Sequence, residues 1–230
     1  MMLTDIRDFK IRNHWRRVFT YFKKYNVSYV FSMLYDEKYS QAIYQENQLH
    51  GDIVQIDARN SRTNLVRSVI GGFQYIAENF QSDYVLKTDT DCVLNIIPII
   101  KHLRRMERDN IHYYGRCTCH GDSWLDHYKT RIHHRQGTIC YSSGGGYVIR
   151  AELFDRYLTA AKYLPFYMPI EDYTTGFIMR KIGFPCTPNI KQKWLAVNPT
   201  KPHLEEYKII HTNRCFKRVK SLNKQLYGIK

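Results

Sequence analysis

The chain has 230 residues, 43% of them hydrophobic, which suits one large α/β domain with an ample core and leaves no internal repeat or low-complexity linker. Lys and Arg number 35 against 21 Asp and Glu, a net charge of +14 that favours anionic partners such as nucleotide diphosphates or acidic glycans. The basic residues are scattered in small clusters (Arg16-Arg17, Arg104-Arg105, Lys217 to Lys220) with no recognition helix or aromatic RNA-binding motif, which argues against a nucleic-acid partner.

In chain order, residues 5–25 carry Ile6, Phe9, Ile11, Trp15, Val18, Phe19 and Phe22 at three- and four-residue spacings, the pattern of an amphipathic helix. Val27–Leu34 reads as a buried strand, Tyr39–Leu49 as a helix in a polar stretch, and Asp52–Asp57 as a second strand before a polar loop at 58–63. Asn64–Phe80 keeps helical spacing despite Gly71-Gly72. Tyr84-Val-Leu-Lys-Thr-Asp-Thr-Asp91 is a strand that runs into two acids, and Ile96–Met106 is a helix with Pro98 allowed in its first turn.

His112–Cys117 is a candidate strand, 118–137 a long loop or edge hairpin, and Ser143–Tyr147 a glycine turn leading into a strand over Tyr147–Ile149. A helix over Ala151–Tyr163 and a break at 165–169 follow. Glu171-Asp172 precedes a helix over Tyr173–Ile182 that Gly183 ends; 185–203 is loop-rich, Tyr207–His211 a last strand, and 212–230 a basic tail. Strands alternating with helices argue for α/β.

No stretch approaches ~18 apolar residues, so no transmembrane helix is expected. The start, Met1–Asp8, has no apolar run of the kind a signal peptide needs. The chain on its own therefore reads as soluble, or as having an anchor that lies outside it. The six cysteines, at 92, 117, 119, 140, 186 and 215, do not form a zinc spacing, and disulfides and buried thiols are both open to them.

Three segments carry chemistry. Asp89 and Asp91 lie one residue apart at the end of a strand, where open α/β sheets bind ligands. Two acids so close repel unless a cation lies between them, and hard oxygen donors suit Mg²⁺ or Mn²⁺. The glycines of Ser143-Gly-Gly-Gly-Tyr147 let backbone pass close to a ligand. Glu171-Asp172 can cap a helix or supply a general base. His211 is a further candidate metal ligand. Taken singly, each has a bland counterpart: a surface turn, a flexible turn, a helix cap and a structural histidine.

Together and in this order, the motifs resemble glycosyltransferase family 31, the β-1,3-galactosyl- and N-acetylglucosaminyltransferases with their fringe-like branch. Ile11-Arg-Asn-His-Trp15 is similar to the family's Ile-Arg-x-Thr-Trp. Gly51-Asp-Ile-Val-Gln-Ile-Asp57, with Ser61 and Asn64-Leu65, is similar to its Asp-Ile-Ile-Gln-x-Asp segment. Lys87-Thr-Asp-Thr-Asp-Cys-Val-Leu-Asn95 resembles Lys-x-Asp-Asp-Asp-x-Phe-Val-Asn. Tyr141-Ser-Ser-Gly-Gly-Gly-Tyr-Val148 resembles Tyr-Cys-Ser-Gly-x-Gly-Tyr-Val, and Glu171-Asp-Tyr-Thr-Thr-Gly176 resembles Glu-Asp-Val-x-x-Gly. Thr90 replaces the middle acid of the triplet, and Ser68 stands where the family has a lysine.

The resemblance implies a single GT-A-like, Rossmann-like domain over 1–230, with a mixed central sheet flanked by helices. It implies an inverting, Mn²⁺- (or Mg²⁺-) dependent transfer of a hexose from a UDP-sugar to a glycan, glycoprotein or glycolipid hydroxyl in β-1,3 linkage. Asp89, Asp91 and His211 would hold the metal, Asp172 would be the general base, and Glu171 would contact sugar or acceptor. Lys87, Asp89, Asp57, Arg12, Gly145 and Gly146 would bind the donor. It also implies the Golgi lumen, with membrane association only through an anchor not present in this chain. The competing expectation is a non-catalytic glycan- or nucleotide-binding relative.

Overall fold

The computed structural model describes residues 1–121, 137–164, 170–186, 194–197, 207–212 and 216–229. Its elements run β1 (Met2–Leu3), α1 (Phe9–Phe22), β2 (Phe31–Tyr35), α2 (Ser40–His50), β3 (Ile53–Arg59), α3 (Leu65–Asn79), β4 (Tyr84–Asp89), β5 (Cys92–Leu94), α4 (Ile96–Arg108), β6 (Tyr113–His120), β7 (Ile139–Arg150), α5 (Phe154–Lys162), α6 (Glu171–Lys181), β8 (Leu195–Val197), β9 (Ile209–His211) and α7 (Phe216–Tyr227).

The strands form a six-stranded sheet in the order β3-β2-β1-β4-β7-β6 and a three-stranded sheet in the order β5-β9-β8. β1 to β4 are parallel, and β7 runs antiparallel to both β4 and β6. The fold is therefore α/β with a mixed sheet flanked by helices, as the alternation of strands and helices indicates.

Strand periodicity sorts the core into two layers. Phe31 and Met33 pack with Trp15, Phe19 and Phe22 of α1, with α4 and with α7. Val30, Val54 and Val85 face the other way, toward Phe73 of α3, Phe154 and Tyr157 of α5, and Ile178 of α6. α3 reaches the sheet because Gly72 has no side chain: a Cβ there would run into the Met1 sulfur and lie 3.1 Å from Ser32 Oγ.

Several elements differ from the sequence expectation. The first residues form β1, paired with both β2 and β4, and the helix begins at Phe9. The basic tail contains α7, whose Val219 and Leu222 are buried. Glu171 and Asp172 belong to the first turn of α6, where the helix dipole favours acids. The glycine turn expected at 143–147 is instead the interior of β7, bulged outward. Gly115 pairs with Tyr147 and Cys117 with Ser142, so β7 advances five residues while β6 advances two.

Cys117–Cys186 and Cys119–Cys140 are disulfides, and Cys92 is a buried thiol. The break at 165–169, the interior of the 118–137 loop and most of 185–203 lie outside the described residues. No helix among the described residues is long and apolar enough to cross a membrane.

Candidate active site

Val85, Lys87 and Asp89 alternate along β4 and so share a face. Val85 is core, Lys87 is fully buried, and Asp89 emerges at the carboxyl end of the strand with a third of its side chain exposed. The Lys87 ammonium donates to Asp89 Oδ1 at 3.0 Å, to the Gly144 carbonyl at 2.5 Å and to Glu171 Oε1 at 2.5 Å. One cation thereby joins β4, the bulge of β7 and the first turn of α6.

The bulge is held on all sides. The Gly144 N–H donates to Asp172 Oδ2 at 2.9 Å, and the Tyr173 N–H donates to Asp172 Oδ1 at 2.9 Å. Thr88 Oγ1 and Cys92 Sγ both donate to the Gly145 carbonyl, and Trp194 Nε1 donates to that of Gly146. The run needs glycine because neighbours press against it. A Cβ at Gly144 would lie 2.7 Å from Glu171 Oε1, one at Gly145 would lie 3.2 Å from Leu195, and one at Gly146 would run into Ile209.

Beyond the end of β4, the chain crosses from the large sheet to the small one through Thr90-Asp91. The Trp15 indole N–H donates to the Thr90 carbonyl, and Thr212 Oγ1 donates to that of Asp91. β5 then pairs Cys92 with His211, which places His211 Nε2 3.3 Å from Asp91 Oδ1. The ligand atoms of Asp91, Cys92 and His211 lie within 4.8 Å of one another. Burial, with Asp89 and Asp91 nearby, pushes the Cys92 thiol well up. Its Sγ donates to the Gly145 carbonyl, beside the carboxylate oxygen of Asp91 and the imidazole nitrogen of His211.

The acids of α6 titrate unusually. Burial lifts the Glu171 carboxyl to about 7; Lys87 pulls against this, and Asp172 and Asp89 add to it. Burial raises Asp172 as well, opposed by Lys87 and by the Gly144 and Tyr173 N–H groups. Burial alone would lower Lys87, but Asp89 and Glu171 outweigh it and hold the amine protonated. Three carboxylates around one ammonium leave an excess of negative charge that favours retention of a proton.

Lys87, Asp89, Glu171, Asp172, Gly145, Gly146, Asp91 and His211 thus gather around two consecutive residues of β7. Arg12 is not among them. It is fully buried in α1 and bonds to Glu46 through Nε at 2.9 Å and through a terminal nitrogen at 2.6 Å, and to the carbonyls of Asp5 and Ile6. Its motif marks the packing of α1 on α2. Asp57 is exposed on the edge strand β3, three strands from β4 and so roughly 14 Å across the sheet. Lys87 is in the cluster but buried under it.

Sequence reading missed the polar chain behind Glu171. Tyr147 OH lies 3.4 Å from Glu171 Oε2 and 3.2 Å from Thr175 Oγ1, which in turn lies 3.1 Å from Tyr157 OH. Tyr147 and Thr175 stand inside two of the quoted motifs, which was the available signal. Trp194 and Tyr157 had none.

The sequence profile of the galactosyltransferase family matches residues 10–189. UDP-GalNAc:beta-1,3-N-acetylgalactosaminyltransferase 1 of Homo sapiens is 28% identical over 127 residues, 53% of this chain and 38% of that protein. Beta-1,3-galactosyltransferase 5 of Homo sapiens is 25% identical over 164 residues, 68% of this chain and 50% of that protein. The chain spans half or less of the length of these relatives. Among solved structures, a glycosyltransferase involved in the glycosylation of the major capsid of PBCV-1 aligns over 81% of this chain and 89% of that chain, with 10% identity and a TM-score of 0.39.

Proposed function

The chain belongs to the galactosyltransferase family, and from that premise we propose that residues 1–230 form one GT-A-type unit that transfers a hexose from a UDP-sugar to a glycan hydroxyl. The sugar is galactose or an N-acetylhexosamine, the linkage β-1,3, and the reaction inverting and Mn²⁺-dependent. One observation carries this reading. The Asp91–His211 pair and the Glu171–Asp172 pair flank adjacent residues of one strand, Gly145 and Gly144.

Asp91 and His211 offer a hard oxygen and an imidazole nitrogen, a donor set that fits Mn²⁺ or Mg²⁺ beside a diphosphate. When bound, the ion would act as a Lewis acid toward the charge of the departing UDP. Asp89, held by Lys87 and a third exposed at the end of β4, would bind the donor or its metal alongside Asp91 and His211.

Asp172 is the base. Its two oxygens are fixed by backbone N–H groups, and burial raises its proton affinity, both useful to a group that must take a proton from an acceptor hydroxyl. The freed oxygen attacks the anomeric carbon from the face opposite UDP, which inverts the centre. Glu171 would contact the sugar or the acceptor, and Gly145 and Gly146, against which Leu195 and Ile209 pack, would meet the donor through backbone alone. The acceptor is a glycan on protein or lipid. The two disulfides suit an oxidising lumen such as the Golgi.

The test is UDP release from UDP-galactose, UDP-N-acetylgalactosamine and UDP-N-acetylglucosamine, with and without Mn²⁺ and with β-linked acceptors. One donor should turn over, only with the metal. Asp172→Asn should lose about 10²–10⁴-fold in kcat yet retain UDP binding by calorimetry. A variant at full rate would remove Asp172 from the mechanism. Thr90, in place of the family's middle acid and buried, favours a second reading as a silent nucleotide- or glycan-binding relative. UDP binding with no turnover of any donor would select it.

A further inference from the structure

An ammonium group has three N–H donors, and all three of Lys87 are used within the protein, on Asp89, Gly144 and Glu171. None is left for a phosphate or a sugar. The side chain is fully buried, on the strand face where Val85 is core. Burying an ion costs several kcal/mol even after relaxation, and a hydrophobic residue is often as stable in such a place. Stability alone is therefore a poor reason for a lysine here. Its partners supply a better one, because each belongs to a different element of the site.

We propose that Lys87 is a positioning residue and not a donor ligand: its ammonium pins the carbonyl of Gly144 and the carboxylate of Glu171, and so aims the Gly144 N–H at Asp172. This rests on the role of Asp172 as base. Gly144 is held at both its polar atoms, by Lys87 at the carbonyl and by Asp172 at the N–H. Glu171, next to Asp172 on α6, is gripped by Lys87 on one oxygen and faces Tyr147 OH with the other. Lys87 thus fixes Asp172 along two routes without touching it.

Lys87→Met tests this. A misplacement of about 1 Å at a reacting group can cost roughly 10²-fold. We expect kcat to fall on that scale, with UDP affinity and donor KM changed less than threefold. A parallel loss of UDP affinity, or an unchanged kcat, overturns the proposal. Should the variant not fold, wild-type protein is treated with an amine-acetylating reagent and mapped by mass spectrometry, with and without UDP and Mn²⁺. A strut stays unmodified in both states while exposed Lys10 and Lys101 react. Labelling of Lys87 that UDP suppresses identifies a donor ligand and overturns it. If wild type releases no UDP from any donor, the transferase reading fails, and the catalytic part of this proposal falls with it.

A second inference stands on different residues. Asn26-Val27-Ser28 is the single Asn-x-Ser/Thr triplet of the chain without an intervening Pro, the acceptor pattern for N-glycans. Asn26 and Ser28 are both exposed, and Asn26 ends the short helical turn Lys23–Tyr25 in the left-handed region at φ 56°. It lies before β2, at the amino ends of the parallel strands, opposite the carboxyl ends that carry the site. We infer that Asn26 is glycosylated in an oxidising secretory compartment, the setting that the disulfides suit. The Asn26 amide nitrogen bonds to the anomeric carbon of a polyprenyl-diphosphate oligosaccharide. The carbon–oxygen bond to phosphate breaks, the polyprenyl diphosphate departs, and the amide proton passes to a base.

The full chain, fused behind a signal peptide and secreted from animal cells, should shift on peptide N-glycanase treatment. The shift should vanish in Asn26→Gln and Ser28→Ala, persist in Ser28→Thr, and leave kcat unchanged. No shift in wild type, or a shift that survives Asn26→Gln, overturns the assignment.

Discussion

The two corners of the site sit side by side on β7 and are built differently. At Lys87 the ammonium is fully buried, the Glu171 side chain is 10% exposed, and every Lys87 donor is occupied. At Asp91 and His211 the side chains are 14% and 23% exposed and lie 3.3 Å apart. At the first corner the Lys87 ammonium is saturated with internal bonds and holds the acids around it in place. The second keeps an oxygen and a nitrogen partly exposed to solvent. Exposure and donor count separate scaffold from ligand here better than residue type does, since Lys87 is the residue that charge alone would assign to a phosphate.

The comparison can be broken first at Gly144. Gly144→Ala sets a methyl 2.7 Å from Glu171 Oε1 and 3.4 Å from Asp172 Oδ2. It should cost on the order of 10²-fold in kcat with UDP binding retained, read by steady-state kinetics and calorimetry. At the open corner, Asp91→Asn and His211→Ala should each weaken Mn²⁺-dependent UDP binding by about 10–100-fold or more, since even residues behind a ligand are worth that much. Metal-independent stability should barely change, and a large drop in denaturation midpoint would mean that the corner is structural after all.

A smaller effect belongs to the chain behind Glu171. Thr175→Val removes the hydroxyl between Tyr147 and Tyr157 and should cost about 1–3 kcal/mol in urea unfolding, because two buried phenols lose a partner.

The saturated corner also contrasts with two buried histidines. His14 Nδ1 and His102 Nε2 have no hydrogen-bond partner among the described residues, and burial, with Arg17 and Lys220 near one and Lys208 and Arg105 near the other, lowers both rings to about 4. The unfolded rings take up protons near 6.5, so stability should fall as pH drops from 6.5 toward 4 and level off below. His102→Gln should flatten part of that slope in pH-dependent melting curves.

Much of this was legible in the sequence because its signals are local. The run from Tyr84 into Asp89 and Asp91, and the helix opened by Glu171-Asp172, follow from strand and helix preferences over a few residues. The glycine run did not yield its geometry. Three glycines read as a turn, whereas here they form a bulge whose register is set by β6 and whose lack of side chains answers to Glu171, Leu195 and Ile209. β1 is two residues long and has no periodicity to detect; it exists because β2 and β4 both pair with it. Arg12 lay in a motif, but its partner Glu46 is 34 residues away, and only packing shows that the pair is internal. Phe216, Val219 and Leu222 have helical spacing that the surrounding lysines concealed.

The crossing at Thr90-Asp91 has one more consequence. Asp89 ends β4 of the six-stranded sheet, and Asp91 comes just before β5 of the three-stranded one, so two residues, Thr90 and Asp91, join the two hydrogen-bonded units. A molecule that touches both would act as a crosslink between the sheets and raise the melting temperature, by about 2.7 kcal/mol of stability at a hundredfold excess over Kd. Thermal shift on adding a nucleotide diphosphate would then report binding even in a variant that has lost all turnover.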